Sequence, residues 1–302
     1  MSTERDPHER YPHESYPTVS ASGTAGVVRP ARRPADWRPP GPPPARPTAR
    51  LELWPRAGED LCHLAGDWRI LQLVRGHRWS LDDLVTAWFA AEVVRDTPPA
   101  RMADLGCGIG AVLLLLAWRF PEARGVGLEA QRVSVELARR SLAWNGADQR
   151  CEVHRGDLRE PASIPEGAVF DLVTGTPPYL PVGTARGSSR SQWAACHLEL
   201  RGGVEVYCAA AARLLAPHGW FVTCAGAAQD DRVRDGAAHA GLAAVRRREV
   251  IPRAGKGVLF TVWAMRREGR LATDEAPLVV RDRESRWTAE FRALRAAMGM
   301  PA

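Results

Sequence analysis

Ala103-Asp104-Leu105-Gly106-Cys107-Gly108-Ile109-Gly110 follows a short apolar-tending run that starts at Ala100 and precedes a helical-looking run. An acid closing a strand, glycines at alternate positions and then a helix N-terminus is the form a crossover takes where backbone must lie against a nucleotide-like ligand. The spacing separates the candidate ligands. A dinucleotide fingerprint needs G-x-G-x-x-G to bring a pyrophosphate onto the helix N-terminus, whereas here the third glycine arrives one residue early, at Gly110. D-x-G-x-G-x-G suits S-adenosylmethionine, which carries no phosphate. Gly106, Gly108 and Gly110 would then allow close backbone approach, with Asp104 facing the cationic amino-acid end. Taken alone, a glycine triplet is weak evidence, and a plain strand-turn-helix is the lesser alternative.

Downstream, the pattern alternates as a doubly wound α/β sheet does: helix 111–119, strand 125–128, helix 132–144, then strands 151–154 and 170–173. Strand 125–128 ends in Glu129, a carboxylate placed to accept both ribose hydroxyls of a nucleoside. Strand 151–154 is followed by Asp157, placed to accept the adenine amino group of the cofactor. Three acids after three successive strands are hard to explain as helix caps. A helix is expected over 203–215, ended by Pro217-His218-Gly219, then a strand over 220–224 and a helix over 230–240. The runs 245–251 and 257–265 can pair as a C-terminal antiparallel hairpin. Arg246-Arg247-Arg248 alternates faces there and reads as a solvated edge. In the segment 271–302, a linker leads to Trp287, Phe291, Leu294 and Met298, spaced as one face of an amphipathic helix.

Upstream, Trp68 to Val74 is strand-like, Arg75 to Arg78 can turn it back, and Ser80 or Asp82 can cap a helix carrying Leu84, Val85, Trp88, Phe89 and Val93. The segment 51–100 is thus a hairpin and helix ahead of the first sheet strand, within one domain spanning 51–270. Residues 1–50 are rich in Pro and Arg with no apolar period, and are expected to be a disordered tail.

The chain has 302 residues, 25% charged and 45% hydrophobic, an ordinary globular balance with one main core. The net charge of +6 rests on arginine almost entirely, since Lys256 is the single lysine, and about half of the excess lies in residues 1–50. Such usage is weak support for nucleic-acid binding by itself. The six cysteines form no C-x-x-C and no paired His spacing, so neither a metal site nor a disulfide framework is expected. With no apolar run long enough to span a bilayer and no signal-peptide pattern, a cytoplasmic protein is expected.

Strand 170–173 leads into Thr176-Pro177-Pro178-Tyr179 and a polar Gly/Ser-rich loop carrying Arg186 and Arg190, which reads as a substrate loop. Paired prolines fix φ and lack N–H donors, so their backbone is stiff and presents carbonyl acceptors. An amino group conjugated to a ring is a poor nucleophile because its lone pair is delocalised. Two acceptors, one per N–H, localise that pair toward an incoming methyl group. The Thr176 side chain and the Pro177 carbonyl are candidates for those acceptors, and Tyr179 offers a face for a planar group.

Asp104 to Gly110, Glu129, Asp157 and Thr176 to Tyr179 resemble the class I amino methyltransferases with the Asn/Asp/Ser-Pro-Pro-Tyr/Phe motif, and the small-domain subgroup in particular. Arg78-Trp79-Ser80-Leu81-Asp82-Asp83-Leu84, the loop from Tyr179 and His197-Leu198-Glu199-Leu200-Arg201-Gly202-Gly203 look like the bacterial tRNA adenine-N6 methyltransferases that modify valine tRNA. The resemblance runs from about Asp67 to Met265. It implies a Rossmann-like methyltransferase sheet, S-adenosylmethionine as cofactor with Asp82 among its contacts, Thr176, Pro177, Pro178 and Tyr179 as the catalytic loop, and structured RNA, tRNA above all, as the partner. Thr176 departs from the family's usual Asn or Asp. Two other readings use the same residues: methylation of a protein glutamine amide, and a silent module that binds cofactor or RNA without turnover.

Overall fold

The computed structural model describes residues 26–47, 49–164, 167–179, 199, 202–269 and 273–302. Eleven strands and six α-helices follow in chain order among them. Strands β1 (Val27–Val28), β2 (Glu59–His63) and β3 (Arg69–Leu73) make a small sheet of their own. After helix α1 (Leu81–Val93) come β4 (Arg101–Leu105), α2 (Ala111–Arg119), β5 (Arg124–Glu129), α3 (Arg132–Asn145), β6 (Cys151–Arg155) and β7 (Phe170–Gly175). The chain then adds α4 (Val204–Leu214), β8 (Leu215–Gly226), α5 (Asp230–His239), β9 (Ala243–Ile251), β10 (Phe260–Arg266), β11 (Thr273–Val279) and α6 (Ala289–Ala297).

The main sheet has the order β11-β9-β10-β8-β7-β4-β5-β6, and only β10 runs against its neighbours. Strands β4 to β8 are parallel, so crossover helices must cover both faces, and alternate residues along each strand divide between two cores. Met102, Leu172, Val222, Cys224 and Val262 enter the core beneath α1, α2 and α3. Ala103, Leu105, Val173, Phe221 and Trp263 enter the core beneath α4 and α5. The doubly wound sheet and the antiparallel pairing of β9 with β10 stand as the sequence predicted.

Four expectations are corrected. The strand 69–73 is not turned back by Arg75 to Arg78; its partner is β2 upstream, through a turn in which Leu64 N donates to Trp68 O at 2.9 Å. Strand β8 begins directly after α4, and a register shift against β7 absorbs Pro217-His218-Gly219. The stretch expected to be a linker contains β11, a parallel strand on β9. β9 is therefore not an edge, and Arg248 is buried, over the Trp88 ring and paired with Glu290.

The fourth concerns the tail. Residues 1–25 lie outside the described residues, but the second half of the expected disordered segment packs on the domain. β1 pairs in parallel with β2, Arg29 meets the buried Asp60 at 2.9 Å, and Arg33 and Arg46 both meet Asp67 at 2.7 Å. Further along, Gly41 lies in the left-handed region against the Trp118 indole. Ion pairs and a proline-rich chain with little backbone entropy to lose do here what an apolar period does elsewhere. At the other terminus Phe291, Leu294 and Met298 of the C-terminal helix region are buried, and Gly299 O accepts from Gly66 N at 2.6 Å.

Candidate active site

The carboxyl ends of β4, β5, β6 and β7 open into one cleft, the position at which an open α/β sheet exposes loops at a switch of strand order. Its walls include Gly106 and Gly108 after β4, Glu129 at the end of β5, Asp157 after β6, Thr176 to Tyr179 after β7, and Asp82 from the first turn of α1. Among the described residues no group of three His, Cys, Asp or Glu side chains is placed to hold a metal, and no helix is long and apolar enough to cross a membrane.

The glycine turn is shaped for close approach. Gly106 has φ +58° and Gly108 φ +55°, a region that side chains rarely adopt. A Cβ on Gly108 would meet nothing within 4 Å, so the missing side chain leaves open room above the turn. A Cβ on Gly106 would run into the Tyr207 hydroxyl. Gly110 is the residue before α2 and faces Ala138 of α3, so it serves helix packing and does not line the cleft.

Asp104 is also not on the cleft wall. It is buried under the turn, where Thr174 Oγ1 donates to its Oδ1 at 2.8 Å and its Oδ2 makes no hydrogen bond. Burial pushes this carboxyl up to about 7, against the pull of the Thr174 hydroxyl. Glu129 holds the turn from the side: its Oε2 accepts from Gly108 N at 3.0 Å and its Oε1 from Gln131 N at 2.7 Å. Glu129 also lines the cleft. Asp157 is gripped by Arg159, whose Nε and Nη2 donate to its two oxygens at 2.9 and 2.7 Å.

The opposite wall is the loop after β7. Pro177 is buried, and Thr176, Pro178 and Tyr179 are half-buried at the cleft. The Tyr179 hydroxyl donates to Asp82 Oδ2 at 3.2 Å, and burial together with Asp82 keeps this phenol protonated. Asp83 stands behind Asp82, fully buried; its carboxylate accepts from Ser80 N at 2.9 Å, and burial with Asp82 nearby raises its pKa. Arg78, from the same stretch, points away from the cleft and donates to Asp60 at 3.0 Å.

Sequence reasoning missed two supporting residues. Tyr207 of α4 lies at the cleft between both loops: besides its place over Gly106, its ring would be 2.6 Å from a Cβ on Gly175. Gln229 donates from Nε2 to Tyr179 O at 3.4 Å and to Glu199 Oε1 at 3.0 Å, while its Oε1 accepts from Gly226 N. Neither belongs to a motif. The only available signal for Tyr207 was the smallness of Gly106 and Gly175, each needing a large neighbour. Arg186, Arg190, His197, Leu198, Leu200 and Arg201 lie outside the described residues.

An open glycine turn, an unpaired buried carboxylate oxygen beneath it and an acceptor at the end of the second parallel strand fit S-adenosylmethionine, with its ammonium, its ribose hydroxyls and no phosphate. Residues 102–182 match the methyltransferase domain family. The chain is 31% identical over 138 residues to the tRNA1(Val) (adenine(37)-N6)-methyltransferase of Porphyromonas gingivalis, covering 45% of this chain and 53% of that protein. It is 40% identical over 96 residues to the release factor glutamine methyltransferase of Mycolicibacterium smegmatis, covering 31% of each. A third relative is the 4-amino-L-phenylalanine/4-methylamino-L-phenylalanine methyltransferase of Streptomyces pristinaespiralis, 33% identical over 138 residues, with 43% of this chain and 44% of that one covered. The chain thus spans about half, or less, of the length of these relatives. The crystal structure of a predicted O-methyltransferase from Agrobacterium tumefaciens superposes with a TM-score of 0.57 at 20% identity, over 73% of this chain and 98% of that one, and shares its fold. The chain therefore carries a class I methyltransferase domain of the S-adenosylmethionine-dependent type.

Proposed function

We propose that the protein is an N-methyltransferase whose acceptor is the exocyclic N6 amine of an adenine in structured RNA, tRNA above all. The observation that carries this reading is the stiff Thr176-Pro177-Pro178-Tyr179 wall, which lines the same cleft as the open glycine turn. S-adenosylmethionine supplies an electrophilic methyl group when bound. Glu129 accepts from its ribose hydroxyls, Asp157 accepts from its adenine amine, Asp82 contacts it from α1, and the turn at Gly106 and Gly108 lets the backbone lie against it. Asp104 lies beneath the turn at the ammonium end, with Oδ2 making no hydrogen bond among the described residues.

On the acceptor side the Pro177 carbonyl and the Thr176 hydroxyl take the two amine protons as hydrogen-bond acceptors, which draws the lone pair out of conjugation. Thr176 makes no hydrogen bond with another described side chain, so its oxygen is available. The phenol of Tyr179, tied to Asp82, holds the ring as a stacking face for the base. The rate gain is orientation and preorganised polarity, with no covalent enzyme intermediate.

The three relatives named above act, by their names, on an adenine, a glutamine and a 4-aminophenylalanine. Each such acceptor offers a conjugated nitrogen, which supports N-methylation and leaves the glutamine amide of a protein as the second reading. Methyl transfer from labelled cofactor to separated total RNA and total protein tests both. Label in RNA, digesting to N6-methyladenosine, is the expected result. Label in protein alone supports the glutamine reading, and cofactor binding without label in either supports the silent module.

A further inference from the structure

We infer that a basic hollow beside the cleft binds the phosphate backbone of the nucleic acid whose base enters it. The inference rests on the RNA reading above. The hollow, of about 370 Å³, is bounded by Arg56 of the N-terminal segment, by Arg132, Arg139 and Arg140 of α3, and by Arg155 at the end of β6, with two carboxylates, Glu136 and Glu52, the latter paired with Arg50. Two of these charges are already balanced: Arg56 pairs with Glu136, and Arg140 donates to both oxygens of the buried Glu59 at 2.9 Å. The other three are exposed and have no carboxylate partner among the described residues. Arg139 spends Nε and Nη2 on the Val153 carbonyl, which fixes its direction without cancelling its charge.

Position distinguishes this hollow from the other basic surfaces. Arg132 follows Gln131 and Arg155 precedes Gly156, and both Gln131 and Gly156 line the cleft. The hollow thus begins one residue from the cleft wall on both strands of chain and continues along α3 to Arg139. Arg132 also opens α3, so the positive end of the helix dipole adds to the potential. By contrast, Arg119 and Arg124 lie at the far end of the sheet, and the separate hollow that Arg101, Arg124 and Arg150 help to line there shares no residue with the cleft. Guanidinium groups favour planar, bidentate contacts with phosphate, and a row leading away from a base pocket matches a strand whose phosphates are spaced along it. An acidic protein surface would suit the charge but has no need of a row that starts at the rim.

The test is binding of fluorescein-labelled bulk tRNA to the full chain across a salt series. Arg132→Gln/Arg155→Gln is compared with Arg119→Gln/Arg124→Gln, and S-adenosylmethionine affinity is measured by calorimetry on each. Loss of two phosphate contacts should weaken tRNA binding about tenfold or more and lower the salt slope by roughly 2, with cofactor affinity kept and the far-end pair near the parent. Equal losses in the two variants, or none in either, would overturn the inference while leaving tRNA as substrate. A parent chain that binds no tRNA would overturn the RNA reading and this inference together. Unchanged tRNA binding with lost methyl transfer to a protein fraction would assign the hollow to an acidic protein and overturn it as well.

Discussion

Thr176 carries a hydroxyl where the motif it resembles usually carries an amide or carboxylate, and it stands half-buried at the cleft beside the buried Pro177. If that oxygen accepts one amine proton, Thr176→Val, near-isosteric but without it, should keep cofactor affinity and lower single-turnover methylation by roughly one to three orders of magnitude. A rate equal to the parent would remove Thr176 from the acceptor pair and leave the Pro177 carbonyl alone. Asp82 belongs to the same scale, because one carboxylate both contacts the cofactor site and orients Tyr179. Tyr179→Phe separates these duties. It removes the tie to Asp82 but keeps the ring, so turnover should fall by about 3- to 30-fold with cofactor affinity little changed, measured by calorimetry beside single-turnover rates.

At the scale of elements, the segment 26–50 behaves as part of the domain. Asp60 is fully buried, and besides Arg29 its partner is Arg78, so removing the segment leaves a buried carboxylate with half its compensation. Deleting residues 1–25 should leave the melting temperature within a few degrees. Deleting residues 1–50 should lower it by roughly 5 °C or more, read by calorimetry on both truncations. Equal melting points would mean that the Arg–Asp pairs and β1 contribute nothing measurable. Tyr207 acts between elements in a similar way. One ring of α4 fills the space left by Gly106 and by Gly175, so the glycine turn and the end of β7 share a support.

For the whole molecule, two buried groups titrate in opposite senses. Burial and the neighbouring Arg69 lower His63 to about 3, so its contribution to stability is present above the ordinary value of 6.5 and is lost as pH falls toward 3. Burial raises Asp104 to about 7, so its contribution is present below 3.8 and is lost as pH rises through 7. Between about pH 4 and 6.5 the two proton balances offset each other. Asp104→Asn removes the Asp104 share: its melting point relative to the parent should be higher at pH 8 than at pH 5. A pH-independent difference in scanning calorimetry would show that Asp104 does not hold its proton in the folded chain.

The same molecule separates what is local from what is not. Helices α2 and α3, the strands before them, the glycine turn and the loop after β7 were legible in the chain, because hydrophobic period, turn residues and proline stiffness act over a few neighbours. So were most of the cleft residues, since strand ends in an α/β sheet converge whatever the side chains are. Asp104 reads like Glu129 and Asp157 in sequence, yet only the packing of α2 over β4 puts it under the floor while the others reach the wall. The pairing of β1 with β2 and of β11 with β9, the ion pairs of Arg29 and Arg33 with aspartates over thirty residues on, and the wedge of Tyr207 between two glycines had no local sign. Each depends on surfaces that meet only once the sheet is assembled, and a charge or a proline in sequence carries no record of the partner that burial will supply.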